Sequence, residues 1–510
     1  MRKFKIKMKK YLLMLLLAVF AISCSKKVEV KARINGGSPL ERMEFVEASG
    51  VGTLPLINIG TDKSGTFTGS FEAPKNGMYL ISYAGRQGYV YLKGGQTFEF
   101  SADAATFPES MKVTGDAQKN NDFVKETQKF LSEYASKVNM GELVTKKEAD
   151  FLKEAKKIKA DIEKNIDDVS KKLNPDSDAV EFKKDELTAS ILGLMSQYAI
   201  NYPMATQNPS FKVSKTFKDY EKTLEADNDR MVKNQPLYRN YLLSKLSSDY
   251  QVFNSGYKPK DGDTNSEVFA KFLDTRKDLS QVTKDYLLAF IMGQYDISGM
   301  QDEKKMTKLE KLVDEKIKES TVKNDLKKLL SVVSGPKKGE VADDAGLVKQ
   351  DGKSFKFSEL KGKPAMVMFY ASWNPYINES AVPVVKEVVN FYKSKMDFVY
   401  VNMDDSKDQF IKTSNAMMKG IPGNNVYAEG GLNSKFAEKW TIYSFKMPSY
   451  IFIDKDGKIA SRLFGNLGDP QMISELEKLT GLKAPSAAPA ATLQNDLLKT
   501  EEAPKAPATK

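Results

Sequence analysis

Short runs in which apolar and polar residues alternate fill the chain from Val28 to about Gly115: Val28 to Ile34, Phe67 to Phe71, Met78 to Tyr83, Tyr89 to Leu92 and Thr97 to Phe100. A period of two turns one set of side chains toward a core and the other toward water, as in a half-buried strand. Between the runs stand Gly-Gly, Asp-Lys-Ser-Gly, Lys-Asn-Gly and Lys-Gly-Gly, residues that enter tight turns. Residues 28–115 are therefore expected to form a small antiparallel β-sandwich or barrel.

From about Gln118 the period lengthens. Phe151, Ala155, Ile158, Ile162, Ile166, Val169 and Leu173 recur in steps of three and four, which places them on one stripe of a helix. Thr145 and Glu148 have the spacing of a capping box at its start, and Asn174-Pro175 stops it. A second helix is expected through Met306, Leu309, Val313, Ile317, Val322, Leu326 and Leu329. Four or five more should lie between the two, punctuated by Pro203, Pro209 and Pro236. Such stripes face a core, so residues 118–333 read as a helical domain packed on itself.

After a Gly- and Pro-containing linker from Ser334 to Gly339, strand and helix patterns alternate. Strands are expected at Ala365 to Tyr370, Phe398 to Met403, Tyr450 to Asp454 and Lys458 to Leu463, with helices from about Glu379 to Lys395, near 406–418, and from Pro470 to Leu479. That order implies an α/β domain with a mixed sheet over residues 340–482. The stretch 483–510, rich in Ala, Pro and Lys, lacks the apolar content to build a core and is expected to be a disordered tail. The whole reads as a multidomain α+β protein.

Composition then removes several kinds of chemistry. Among 510 residues there is no histidine, and the only cysteine is Cys24. A histidine base, a His or Cys metal site, a Ser-His-Asp triad and a C-x-x-C dithiol are all excluded, and neither metal nor cofactor is implied. The formal charge of +11 includes six cations within the first ten residues; without residues 1–23 it falls to +5. That surplus is spread out, with no basic face carrying interleaved aromatics, so nucleic acid is not an expected partner.

The basic start is followed by a twelve-residue apolar run, Tyr11 to Ile22, too short for a span of ~20 residues and suited to the core of an export signal. Ala21-Ile22-Ser23-Cys24 resembles the lipobox of bacterial lipoproteins, with Ala21 where leucine is more usual. The resemblance implies a signal peptide over residues 1–23 and lipidation of Cys24. Acyl chains, each contributing ~0.8 kcal/mol per buried methylene, would then hold the protein on a membrane. Ser25-Lys26-Lys27 after the cysteine, rather than acidic residues, leans toward the periplasmic side of the outer membrane.

Several stretches of the C-terminal segment carry a further resemblance. They are Asp351-Gly352-Lys353; Leu360-Lys361-Gly362-Lys363-Pro364 leading into a strand; Phe369-Tyr370-Ala371-Ser372-Trp373; and Met447-Pro448-Ser449-Tyr450-Ile451-Phe452-Ile453-Asp454-Lys455-Asp456-Gly457-Lys458-Ile459. In order and spacing, residues 346–482 resemble the thioredoxin-like modules of the TlpA type. The N-terminal arrangement is similar to the β-domain that precedes such modules in Bacteroidetes envelope lipoproteins. The resemblance implies that Pro448 is the proline facing the active-site turn. It also implies two cysteines after the tryptophan, one attacking as a thiolate and one resolving the mixed disulfide. Here Asn374 and Ile377 stand at those positions, Met368 stands where the family has a buried acid, and Pro383 is one residue out of register.

The expected function is accordingly that of a pseudoenzyme: a lipid-anchored envelope protein whose redox-inactive thioredoxin-like domain binds or scaffolds another protein. Trp373, Tyr376, Met447 and Pro448 are the candidate binding residues, and no residue is assigned a catalytic role. The partners expected are the membrane, through Cys24, and an envelope protein or polypeptide. Two alternatives compete. One is the thiol:disulfide oxidoreductase or peroxidase activity that the fold implies, which would need a borrowed cysteine. The other is glycan binding by the β-domain through Tyr79, Tyr83, Tyr89 and Tyr91. Asp404-Asp405 and Asp343-Asp344 are adjacent carboxylates, which a strand turns to opposite faces, so neither is expected to be an acid/base pair.

Overall fold

The computed structural model describes residues 26–484 apart from 53, 63, 227, 259, 261, 298–302, 361, 375–380 and 448. The chain divides into two compact units at Gly335/Pro336.

The first unit begins with eight strands: β1 (Lys27–Asn35), β2 (Met43–Glu47), β3 (Ile57–Ile59), β4 (Thr66–Glu72), β5 (Gly77–Tyr83), β6 (Arg86–Leu92), β7 (Thr97–Asp103) and β8 (Lys112–Thr114). They form two four-stranded sheets, β4-β1-β7-β8 and β3-β2-β5-β6. Strand β1 alternates without a break, burying Val28, Val30, Ala32 and Ile34. These pack with Phe45, Phe71, Phe98 and Ile81 in one core supplied by both sheets, which is the expected sandwich. Pairing is mixed rather than purely antiparallel, because β1 lies parallel to β7. At the turn into β4, Asp62 Oδ1 accepts from the backbone N–H of Ser64 (2.8 Å) and of Thr66 (3.0 Å), and Gly65 takes the left-handed φ of +77°.

The tyrosines of β5 and β6 overturn the picture of an exposed aromatic surface. Tyr79 and Tyr83 point into the sandwich and are buried, while Tyr91 is buried on the other face, against Phe182 of the helical region. Only Tyr89 of the four is open to solvent, at 63% exposure. Helix Gln118–Ala135 covers this edge of the sheet. Asn121 receives the Tyr91 N–H and donates to the Tyr91 carbonyl, both at 2.9 Å, so its amide replaces the missing neighbour strand.

Long helices follow at Glu148–Leu173, Ser177–Ala205 and Pro236–Gly256, with shorter ones between and after them. Two expectations fail here. Thr145 does not cap the helix Glu148–Leu173: its hydroxyl donates to the Glu142 carbonyl, and Glu148 instead accepts from the Ser214 N–H at 2.9 Å. A capping box does occur, at Thr264 and Glu267. The second stripe is not one helix but two, Glu303–Lys316 and Ser320–Ser334. The break is held by buried Asp285, whose Oδ2 accepts from the N–H groups of Lys318 (2.7 Å) and Glu319 (2.6 Å). Pro203 lies inside Ser177–Ala205, close to its end, and ends nothing before Ala205.

The second unit holds β9 (Leu347–Lys349), β10 (Ala365–Tyr370), β11 (Asp397–Asn402), β12 (Asn424–Ala428), β13 (Ser449–Ile453) and β14 (Ile459–Phe464) in one sheet of order β14-β13-β10-β11-β12-β9. β10, β11 and β12 are parallel; β9, β13 and β14 run antiparallel to their neighbours. Every residue of β10 is buried, because both faces are covered. Val367 and Phe369 enter one core with Phe436 and Trp440, while Met366, Met368 and Tyr370 enter the other with Val385, Val389, Met472 and Leu476 of the helices Ala381–Tyr392 and Pro470–Thr480. The Asp454 to Gly457 segment is a hairpin turn, with Asp454 Oδ1 accepting from Asp456 N and Lys458 N at 2.9 Å.

Candidate functional site

The central strand β10 ends at the segment the sequence singles out. Its last carbonyl, Tyr370 O, accepts from Met403 N at 2.8 Å, so β10 and β11 stay paired to their ends, and Ala371, Ser372, Trp373 and Asn374 follow in a turn closed by Asn374 N to Ala371 O at 3.2 Å. Asn374 is buried. Trp373 is half-buried and packs on the core that contains Phe369, Ala371 and Met447. Met447 is itself part of that core, with 5% exposure. Tyr376, Ile377, Pro448 and Cys24 lie outside the described residues.

What fixes the turn is a residue that the sequence singles out only as half of a carboxylate pair. Asp404, two residues beyond β11 and fully buried, accepts four hydrogen bonds. Ser372 donates to its Oδ1 through both N–H and Oγ, each at 2.8 Å; Asn402 Nδ2 (2.9 Å) and Thr413 Oγ1 (2.7 Å) donate to Oδ2. A carboxylate with all its acceptor positions filled is an anchor and has no lone pair left to take a proton from a substrate. Neither carboxylate pair lies on a strand, as the alternation argument supposed: Asp404-Asp405 follows β11 and Asp343-Asp344 precedes β9. Asp343 pairs with Lys439, and Asp344 accepts from the Phe357 N–H at 3.0 Å. One signal could have found Asp404: an acid directly after an otherwise apolar strand must be buried with partners, and Asn402 and Thr413 supply them.

The approach to Met447 is held from below. Half-buried Arg462 of β14 donates through Nη1 to Thr441 Oγ1 (2.7 Å) and through Nη2 to the Thr441 carbonyl (2.9 Å); desolvation of its head group pushes this guanidinium down to about 10. Thr441 sits at φ +52°. The loop then presents Tyr443 and Phe445 as a stacked pair with ring centroids 5.5 Å apart, Phe445 being 57% exposed. This aromatic pair, two to four residues before Met447, leaves no periodic signal in the sequence because the 3₁₀ helix that carries Phe445, Ser444–Lys446, is a single turn. Among the described residues no group of three or more Asp, Glu, His or Cys is placed to hold a metal ion.

Residues 337–479 match the family model described as Redoxin. A curated relative, the thiol-disulfide oxidoreductase ResA of Bacillus cereus, is 24% identical over 151 residues, which is 28% of this chain and 78% of that protein. Among solved structures, a thiol-disulfide oxidoreductase from Bacteroides fragilis is 20% identical, covering 27% of this chain and 99% of that one, with a TM-score of 0.24. The thioredoxin domain of a thiol-disulfide oxidoreductase from Bacteroides vulgatus is likewise 20% identical, over 28% of this chain and 99% of that one, at a TM-score of 0.25. The C-terminal unit is thus a thioredoxin-like domain, distantly related to the redoxins, and with Cys24 as the chain's sole cysteine it has no C-x-x-C pair.

Proposed function

We propose that this chain is a lipid-anchored protein of the cell envelope, tethered through Cys24, whose thioredoxin-like domain binds a polypeptide without performing redox chemistry. The observation that carries this reading is the turn after β10. Asp404, itself oriented by Asn402 and Thr413, holds the turn through the backbone N–H and the hydroxyl of Ser372, although Asn374 stands where a thiol would have to act. A rigidly positioned turn without a nucleophile suits recognition, because an extended segment can pair with backbone beside such a turn while side chains fill the adjoining surface. The activity in the Bacillus relative's name needs thiols that this domain does not have. Trp373, Tyr376 and Pro448 are assigned to the binding surface, exposed Phe445 extends it, and Met447, expected on that surface, instead backs it from the core.

A photo-crosslinking amino acid at Phe445, used in cells, is expected to capture a polypeptide partner. Tyr376→Ala should weaken that capture by about 1–3 kcal/mol, the scale of a lost aromatic anchor. A capture profile unchanged by Tyr376→Ala would place binding elsewhere. Cys24→Ser should release the protein from the membrane fraction; a variant that is processed but still membrane-bound would overturn the anchor.

A further inference from the structure

The helix Ala381–Tyr392 of the second unit has a face that the proposed function does not use. Val385, Val389 and Tyr392 turn inward, onto the core they share with Met472 and Leu476. Val384, Val388 and Phe391 follow one another at steps of four and three, which sets them on a second stripe of the same helix. Val384 and Phe391 are exposed, at 42% and 39%, and Val388 is half-buried. A single apolar residue on a surface is ordinary, but three in a helical row form a patch that another segment can cover.

The chain itself brings a candidate to this patch. The helix Pro470–Thr480 packs on the same core, and Leu479 and Leu482 join it as the chain leaves that helix. Glu477 Oε1 then accepts from the Ala484 N–H at 2.7 Å. Burial, and next the charge of the same Glu477, pushes the Tyr392 phenol up, and the Tyr392 ring meets that of Phe391 edge-on with centroids 4.8 Å apart. The exit at Ala484 is thus linked through Glu477 and Tyr392 to the Phe391 end of the stripe.

Residues 485–510 follow, outside the described residues. Their only large apolar side chains are Leu493, Leu497 and Leu498, within a stretch free of proline and glycine between Pro489 and Pro504. Three leucines cannot build a core, but the spacing of four between Leu493 and Leu497 matches the step from Val384 to Val388. Nine residues lead from Ala484 to Leu493, a reach of up to ~30 Å, against roughly 10 Å from Val384 to Phe391 along the helix. The charges are complementary. Residues 381–395 carry exposed Lys386, Lys393 and Lys395 against Glu387, whereas residues 490–503 carry Asp496, Glu501 and Glu502 against Lys499. Tethering holds such a segment at an effective concentration on the order of millimolar, which a separate partner would have to exceed. We propose that residues 490–503 dock on the helix Ala381–Tyr392 of the same chain, with Leu493 and Leu497 against Val384, Val388 and Phe391.

The test is amide hydrogen exchange on residues 26–510 of the chain. Amides of residues 493–500 are expected to exchange at least tenfold more slowly than in the free peptide 485–510, and to the same extent at every protein concentration. Val384→Asp with Phe391→Asp, at two exposed positions, should return them to the peptide rate while the amides of β10 and β11 stay protected. Should β10 lose protection as well, Phe391→Ser alone decides. Leu493→Asp with Leu497→Asp should act in the same way. Ile200→Asp with Met204→Asp, at exposed apolar positions of the helix Ser177–Ala205, should change nothing. Exchange at the peptide rate in the unaltered chain, or protection that survives the substitutions at Val384 and Phe391, would overturn the proposal. So would protection that falls on dilution, which seats the segment on a second copy, or protection lost with Ile200→Asp and Met204→Asp, which places it on another face.

Discussion

Asp404 shows how a buried charge behaves when its partners are complete. Asp404→Ala would leave Ser372 N–H, Ser372 Oγ, Asn402 Nδ2 and Thr413 Oγ1 without their acceptor in a region that water does not reach, at a cost of about 2–4 kcal/mol. Both tryptophans of the chain, Trp373 and Trp440, lie in the C-terminal unit, so the loss should appear as a lower urea midpoint of the tryptophan fluorescence transition. An unchanged midpoint would mean that the turn is held by something other than Asp404. Ser449 is the opposite case. It opens β13 fully buried, and its Oγ has no hydrogen-bond partner among the described residues. Ser449→Ala removes a desolvated hydroxyl with nothing to lose, and should leave stability unchanged or raise it by up to ~1 kcal/mol in the same measurement.

Elements are legible in the sequence to the extent that their own residues determine them. Strand β10 is six consecutive buried residues, and the stripe from Phe151 to Ile166 marks its helix unaided. β2 and β3 are not legible: Met43–Glu47 carries two glutamates in five residues and Ile57–Ile59 is only three long, so both depend on the neighbours that pair with them. The break between Glu303–Lys316 and Ser320–Ser334 depends on Asp285, more than thirty positions away, and no window of that stripe contains it. At the site, Trp373 and Asn374 were legible from their motif, while Asp404 and Phe445 needed the fold to bring them there. The helix Ser320–Ser334 also carries a pH effect. Burial, with Glu47 nearby, pushes the Asp325 carboxyl up to about 6. Because the folded state holds this proton more tightly than the unfolded chain, with its ordinary value of 3.8, the group's contribution is intact below about pH 4. It is lost as the pH rises through 6. Asp325→Asn should therefore stabilise the first unit above pH 7 by an amount on the order of 1–3 kcal/mol. Thermal melts followed by far-ultraviolet circular dichroism should show that gain shrinking toward pH 4; a constant difference at all pH values would contradict the assignment.

At the scale of the whole molecule, the division at Gly335/Pro336 separates the hydrophobic cores as well as the backbone contacts. The clusters of the first unit draw on residues up to Leu330, those of the second start at Ala342, and no cluster takes members from both sides. A unit that closes its own core has what it needs to fold by itself. The fragment 336–510 should then unfold in urea with the midpoint that the full chain shows by tryptophan fluorescence, since that signal arises only from this unit. The fragment contains no cysteine, so its midpoint should also be the same in strong reductant and in oxidant, and it should not reduce insulin. These two comparisons separate two ideas. A fragment midpoint well below that of the full chain would show that the first unit stabilises the second, leaving its redox inertness untouched. Insulin reduction by the fragment would instead require a chemistry without a cysteine thiol, and would remove the basis for reading the turn after β10 as a binding surface alone.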